Sequence, residues 1–175
     1  MNWMTILNLV LAIIILLIIG SLMYLRYVKN LDQELDKSWF KLLLKVRKRS
    51  DMIPLIIEKS KMHFENMSFK NLLKKRAEAM NNSRCTGSKV NAELALSEEL
   101  NKLLKEIDND KSAQKDILLL NMKKELFNQS ELIEMDLEKY NEKVRYYNKL
   151  VSSKYLPFLV SFLKLRRRNI FEFEA

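Results

Sequence analysis

The hydrophobic and polar positions divide the chain into one continuous apolar stretch and several amphipathic stretches. Residues 6–25 carry no charged side chain, whereas the apolar positions after Val28 recur at gaps of three and four. At 1.5 Å of rise per residue, a helix over the apolar stretch is about 30 Å long, which matches the hydrocarbon core of a bilayer. Gaps of three and four are typical of helices that bury one face.

The amphipathic part predicts three helices with turns between them. Pro54 has no amide hydrogen, so the first helix is expected to kink near it. Clusters of Asn, Ser, Asp and Gly at residues 81–88 and 108–112 predict the loops between the helices. The predicted helices cover about residues 28–79, 89–107 and 113–153, and a C-terminal tail covers residues 155–175.

The predicted fold class is all-α. A membrane anchor occupies residues 1–27, with its span at about residues 5–25. An elongated antiparallel bundle of three to four helices occupies residues 28–175, because helices of this length bury their apolar stripes only by packing together. The step from Ile133 to Leu137 breaks the heptad spacing, so a continuous ideal coiled coil is not expected.

The basic residues around the span predict its orientation. No Lys or Arg precedes the span, whereas Lys and Arg are frequent directly after it. The positive-inside rule therefore predicts a single-pass protein of the cell membrane, with its N-terminus outside and its bundle in the cytoplasm. A cleaved signal peptide would need a positive start and small residues before the cut. The chain has neither, so an uncleaved anchor is predicted.

The C-terminal tail is apolar first and basic afterwards. One interpretation, which we favour, is that the tail packs against the bundle. The other is that it lies at the membrane surface, where basic side chains reach anionic headgroups. The basic side chains that would make this lipid contact are Lys164, Arg166, Arg167 and Arg168.

Arg49 occupies an apolar position of the first helix, between Val46 and Ile53. A charge at such a position has to be paired or to reach water. We expect Arg49 to pair with an acid of the last helix and thereby fix the register of the two helices. The candidate acids are Glu125, Glu131 and Glu134.

The dipeptide Tyr-Asn occurs twice in the last predicted helix, as Tyr140-Asn141 and Tyr147-Asn148, with Arg145 between the two pairs. A spacing of seven residues places both pairs on nearly the same helix face. The tyrosines continue the inner apolar stripe, and the asparagines lie at its margin, where they are expected to bond to the first long helix. The pairs are therefore interpreted as a repeated packing unit and not as a ligand site.

Several segments of the chain follow one another as they do in a known family. They are Trp39 and the runs "LKVRKRSDMIPLIIE", "LLKKRAEA", "EKYNEKVRYYNKLV" and "IFEFEA". In this order and spacing the chain resembles the LemA family over nearly its whole length. The resemblance implies a bacterial, membrane-anchored helical bundle with no established catalytic activity. The structural candidates are Trp39, Arg49, Pro54, Arg76, Tyr140, Asn141, Arg145, Tyr147 and Asn148.

The residues that carry most enzyme chemistry are scarce. The chain has one cysteine, Cys85, and one histidine, His63, and it contains no phosphate-binding loop and no paired metal-binding motif. The sequence therefore predicts a protein that is not an enzyme, with no catalytic, cofactor-binding or metal-binding residue. Its formal net charge of +9 is interpreted as solvated basic residues near a membrane surface.

The function predicted from these observations is a membrane-anchored helical scaffold with a protein partner of unknown identity. Two alternatives stay open: a regulatory subunit of a membrane-associated enzyme, and a membrane-organising protein that binds anionic lipid. Nucleic-acid binding is disfavoured, because the short basic clusters have no interleaved aromatic side chains.

Overall fold

The described part of the structure, a computed structural model, covers residues 3–81, 87–152 and 165–171. These residues are 85% helical and contain no strand, which confirms the all-α fold class. The described residues form four α-helices and one short 3-10 turn, Ala113–Lys115. The helices are α1 (Trp3–Ser60), α2 (Lys70–Met80), α3 (Gly87–Asn109) and α4 (Ile117–Val151).

The chain forms two compact units, and both α1 and α4 contribute to each of them. The first unit, unit 1, combines Met1–Lys37 with Lys143–Arg168. The second, unit 2, combines Ser38–Glu142 with Asn169–Ala175. The two units therefore do not repeat the predicted division of the chain at residue 27.

Unit 2 is a bundle in which each helix reverses the direction of the one before it. The ammonium groups of Lys45 and Lys48 on α1 pair with Asp136 and Glu125 on α4, at 2.6 and 3.6 Å, so α1 and α4 are antiparallel. Its core is a continuous apolar cluster drawn from all four helices. Its members on the four helices include Ile53, Ile56, Leu72, Leu96, Leu100, Leu103, Ile107, Leu119 and Leu126.

Unit 1 joins the N-terminal part of α1 to the C-terminal end of α4. The Tyr24 hydroxyl donates to the carbonyl of Leu150 at 3.2 Å, and the hydroxyls of Tyr27 and Tyr146 are 3.3 Å apart. Within unit 1, Val28 and Leu35 are fully buried, as their seam positions predict. The more N-terminal apolar side chains of α1 are exposed from Trp3 to Met23.

The first predicted helix is two helices in the structure. The prediction of one helix to residue 79 is wrong, because α1 ends at Ser60 and α2 begins at Lys70. The apolar spacing had continued through this connection because Met67, seven residues after Ser60, packs on the core of unit 2. A turn that packs on the core can therefore show the same spacing of apolar residues as a helix.

Pro54 lies inside α1, which continues for another six residues. A proline at this position leaves the carbonyl of residue 50 without its usual i+4 amide donor. The Nε of Arg76 on α2 donates to the Ser50 carbonyl at 2.6 Å, and its Nη2 lies 3.3 Å from Asp51 Oδ1. The side chain of Arg76 therefore replaces the backbone donor that Pro54 removes. The hydrogen bond from Arg76 to the Ser50 carbonyl therefore links two of the structural candidates, Pro54 and Arg76, in one structural role.

We expect Arg76→Met to lower the free energy of unfolding by about 1–3 kcal/mol, because it leaves a buried carbonyl without a donor. In a Pro54→Ala background the same change should cost less, since the amide of residue 54 then donates to Ser50. Chemical denaturation followed by circular dichroism measures both losses.

The matched control is Lys75→Met, because Lys75 pairs with Glu78 at the surface of α2. Its effect should be small in both backgrounds. Equal losses for Arg76→Met with and without Pro54 would show that Arg76 does not compensate for the proline.

Candidate functional site

The Tyr140-Asn141 pair of unit 2 holds a residue of the C-terminal segment. Asn141 Oδ1 accepts from the Phe171 amide at 2.9 Å, and Asn141 Nδ2 donates to the Phe171 carbonyl. The Phe171 ring stacks on Trp39 with centroids 4.9 Å apart and an interplanar angle of 15°. Tyr140 completes this aromatic group at 5.5 Å from Trp39. Three of the structural candidates are thus brought together around Phe171, which is 2% exposed.

The Tyr147-Asn148 pair makes the same kind of contact in unit 1. Asn148 Oδ1 accepts from the Arg168 amide, and Asn148 Nδ2 donates to the Arg168 carbonyl, both at 2.8 Å. The Arg168 guanidinium pairs with Asp32 at 2.7 Å and with Asp36 at 2.5 Å. Burial, and then the nearby Asp32 carboxylate, raise the pKa of Tyr147 to about 12.

Both asparagines bind main chain through two hydrogen bonds. A carboxamide offers an acceptor and a donor side by side, so it pairs with the N–H and C=O of one extended residue as a neighbouring strand would. The expectation that these side chains bond to the first long helix is therefore wrong. Each asparagine directly follows a buried tyrosine and therefore lies at the edge of the buried helix face. This edge faces the C-terminal segment.

The basic tail residues divide by their contacts. Arg168 is committed to its two aspartates, which removes it from the predicted lipid-contacting set. Arg166 and Arg167 are exposed, and Arg167 Nε donates to Ser152 Oγ at 2.7 Å. Lys164 lies outside the described residues. Arg145, between the two Tyr-Asn pairs, is also exposed.

Arg49 is the centre of a buried charge cluster in unit 2. Its Nη2 donates to Glu93 Oε2 at 2.8 Å, and its Nη1 lies 3.2 Å from Ser97 Oγ. Lys89 Nζ donates to Glu93 Oε1 at 2.7 Å and also to the carbonyl of Ala79. Each of the three charged side chains is only about 5% exposed. The cluster therefore connects α1, the end of α2, and α3.

The predicted partners of Arg49 on the last helix are wrong, because its carboxylate is Glu93 of α3. Glu125 instead pairs with Lys48, the exposed neighbour of Arg49. A signal for the true partner was present in the sequence: Lys89, Glu93, Leu96 and Leu100 form one seam with gaps of four, three and four. A charged residue at a seam position is buried together with the apolar residues of the same seam.

Comparison with protein families identifies the chain. The family model for LemA matches residues 38–175, most of the chain. The protein belongs to the LemA family. The match begins at Ser38, so the apolar stretch of α1 lies outside it. A search of curated proteins returned no significant match.

This LemA family protein also places a serine, a histidine and a carboxylate in a row at the turns of unit 2. His63 Nδ1 is 2.8 Å from Ser112 Oγ, and His63 Nε2 is 3.2 Å from Asp116 Oδ2. The same residue types form the triad of many hydrolases. Here, however, the amides of Ser112 and Ala113 both donate to Asp110, so neither is available to bind an oxyanion.

The two aspartates of these turns cap backbone amides. Asp116 Oδ1 accepts from Leu118 and Leu119 at the start of α4. The backbone amide of Leu119 first, and then the contact with His63, hold the pKa of Asp116 below its ordinary value. The cluster therefore joins the turn after α1 to the first turn of α4. Among the described residues, no group of three or more His, Cys, Asp or Glu side chains could hold a metal ion.

We expect Asp116→Asn to flatten the acid limb of the stability profile of this LemA family protein. The pKa of Asp116 is lowered in the folded state, so its ionised form stabilises the fold above the ordinary pKa of about 4, and this stabilisation is lost as the pH falls further. Asparagine remains a good helix cap, so the change mainly removes the charge. Thermal unfolding midpoints between neutral pH and about pH 3 measure the slope.

The control is Glu138→Gln, which neutralises an exposed acid of the same helix. It should leave the slope unchanged. A variant Asp116→Asn whose stability falls with acid as steeply as that of the native chain would exclude Asp116 as a source of the acid sensitivity.

Proposed function

We propose that this protein is a membrane-anchored, non-enzymatic interaction protein, with its N-terminus outside the cell membrane and its helical body in the cytoplasm. The observation that carries the proposal is the apolar stretch of α1. Among the described helices, α1 is long and apolar enough to cross a membrane, and none of its most apolar part is buried inside the protein. Apolar surface of this extent is unfavourable in water, and the hydrocarbon of a bilayer would remove it from water.

The aromatic residues beside the apolar stretch support an anchor at this position. Trp3 is 77% exposed at one end, and Tyr27 is 50% exposed just beyond the other. Amphipathic rings are enriched at both surfaces of a bilayer, where one side of the ring is apolar and the other is wet. Basic residues follow the stretch and none precedes it, which supports the cytoplasmic placement of the helical body.

Exposed apolar side chains on unit 2 support the role in interaction. Seven large apolar side chains of this unit are each more than half exposed. Side chains of this kind are the usual anchors of protein–protein contacts. They are Phe40, Leu44, Leu55, Met62, Ile117, Phe127 and Met135. Membership of the LemA family is compatible with this role, and the described residues offer no catalytic arrangement beyond the His63 cluster.

The membrane orientation can be tested with a single cysteine. In a Cys85→Ser chain, Ser68→Cys introduces an exposed thiol into the turn between α1 and α2. We expect a membrane-impermeant maleimide to label it only after cell lysis, because the proposed body is cytoplasmic.

The matched control is Asn2→Cys in the same background, which places the thiol before the span and should be labelled in intact cells. Labelling of the thiol at position 68 in intact cells would reverse the orientation. Release of the chain from membranes by an alkaline wash would contradict the anchor itself.

The contact with anionic lipid is the second candidate function, and a feature of unit 1 favours it. Tyr24, at the end of the apolar stretch, bonds to Leu150, and Arg167 bonds to Ser152 two residues further along. The exposed guanidinium groups of Arg166 and Arg167 therefore lie close to the level where headgroups begin. A basic side chain near an anionic surface contributes about 1 kcal/mol.

We expect Arg166→Gln with Arg167→Gln to reduce the enrichment of anionic over zwitterionic lipid around the reconstituted chain, by about fivefold for each arginine. Lipid quantified by mass spectrometry after purification of the full chain measures this ratio. Lys61→Gln with Lys111→Gln removes the same charge from exposed positions of unit 2 and serves as the control. An unchanged ratio in the arginine variant would exclude this lipid contact.

A further inference from the structure

A cleft of about 180 Å³ opens in unit 2 beside the buried charge cluster. Its walls include Phe40, Leu43 and Leu44 of α1 and Met80 at the end of α2. Phe40 and Leu44 are 61% and 51% exposed, so these apolar walls face solvent. A concave site with exposed apolar walls favours an apolar group as its occupant.

Among the described residues, the charge beside this cleft is not balanced. Arg49 and Lys89 share one carboxylate, Glu93, so two buried cations face one buried anion and one positive charge is left over. Lys89 also lines the cleft, and exposed Arg47 adds a second cation to its lining. A buried excess charge favours an occupant of opposite sign.

A third feature of the cleft is an unsatisfied hydroxyl. Ser50 lines the cleft and is only 1% exposed, and its Oγ has no hydrogen-bond partner among the described residues. A buried hydroxyl without a partner lowers stability, so an oxygen atom brought to this position by a ligand would be favourable. The cleft thus combines apolar walls, excess positive charge and a free hydroxyl.

We propose that this cleft binds a short-chain fatty carboxylate. The chain lies between Phe40, Leu44 and Met80, and the carboxylate faces Lys89 and Arg47. The volume corresponds to about six water molecules at roughly 30 Å³ each, and a methylene group is similar in size to a water molecule. An apolar chain of about six carbons therefore fills the cleft. Pockets for drug-sized ligands are usually roughly 300–1,000 Å³, which is larger than this cleft.

The test uses the full chain in lipid nanodiscs with a diazirine derivative of hexanoate. We expect the probe to label the peptide that carries Phe40 and Leu44, and unmodified carboxylates to block the labelling. Each methylene added from butanoate to hexanoate should lower the half-blocking concentration about fourfold, and the gain should stop soon after hexanoate, once the cleft is full. Hexanol and hexylamine should block about tenfold more weakly, because neither supplies the negative charge.

Two variants separate the charge from the apolar contact. Lys89→Met removes the excess charge and leaves Arg49 and Glu93 as a balanced pair, so the preference for hexanoate over hexanol should disappear. Arg47→Gln changes an exposed side chain only, and it should weaken hexanoate about two- to fivefold while leaving hexanol unchanged. Lys41→Gln is the matched control, because Lys41 is exposed on the same helix and does not line the cleft.

Circular dichroism verifies that each variant keeps its helical content, and Arg47→Gln decides the question if Lys89→Met does not fold. The proposal is overturned if hexanoate fails to block the labelling, or if hexylamine blocks as well as hexanoate. Equal blocking by hexanol and hexanoate in the native chain would also overturn it, because it would show apolar contact without recognition of the carboxylate.

Discussion

The Glu93 carboxylate is the interaction on which the packing of unit 2 depends. One oxygen receives the Arg49 guanidinium from α1, and the other receives Lys89 of α3, which in turn holds the carbonyl of Ala79 at the end of α2. Cations this deeply buried are tolerated only next to an anion, so the relative positions of the three helices are constrained by a single acid. The apolar cluster around Ile53 and Leu96 packs between the same three helices.

The sequence predicted the positions that face the core better than the places where helices end. Most of the seam from Leu35 to Ile56 and of the stripe from Leu119 to Tyr147 is buried as the spacing indicated, because burial of each apolar side chain lowers the free energy. The end of α1 at Ser60 was missed, since Met67 reaches the core from a turn at a position that keeps the helical spacing. Local spacing does not distinguish a helix from a turn that packs on the same core.

The partners of the polar candidates were the least predictable part. Trp39, Asn141 and Tyr140 were recognised as important, but their common contact, Phe171, belongs to a segment without regular structure and with no periodicity to read. Asn148 is similar, because it binds the main chain of Arg168 and not a side chain. A bond to main chain does not require a particular residue type at the partner position, so the sequence does not reveal the partner. Such bonds do not depend on the side chain of the residue they hold, whereas the Arg168 side chain has partners of its own, Asp32 and Asp36.

Pro54 has a consequence for how the helices find each other. The interior of a helix normally offers a neighbour no main-chain group to recognise, since every amide and carbonyl is already paired, and two smooth helices can slide by a turn at little cost. The proline in α1 frees one carbonyl acceptor at one position along the helix axis. A neighbouring helix can bond to it only if that helix carries a donor at the same position along the axis. Pro54 therefore helps to determine where α2 lies along α1. The apolar surfaces alone would allow several alignments of the two helices, and the freed carbonyl favours one of them.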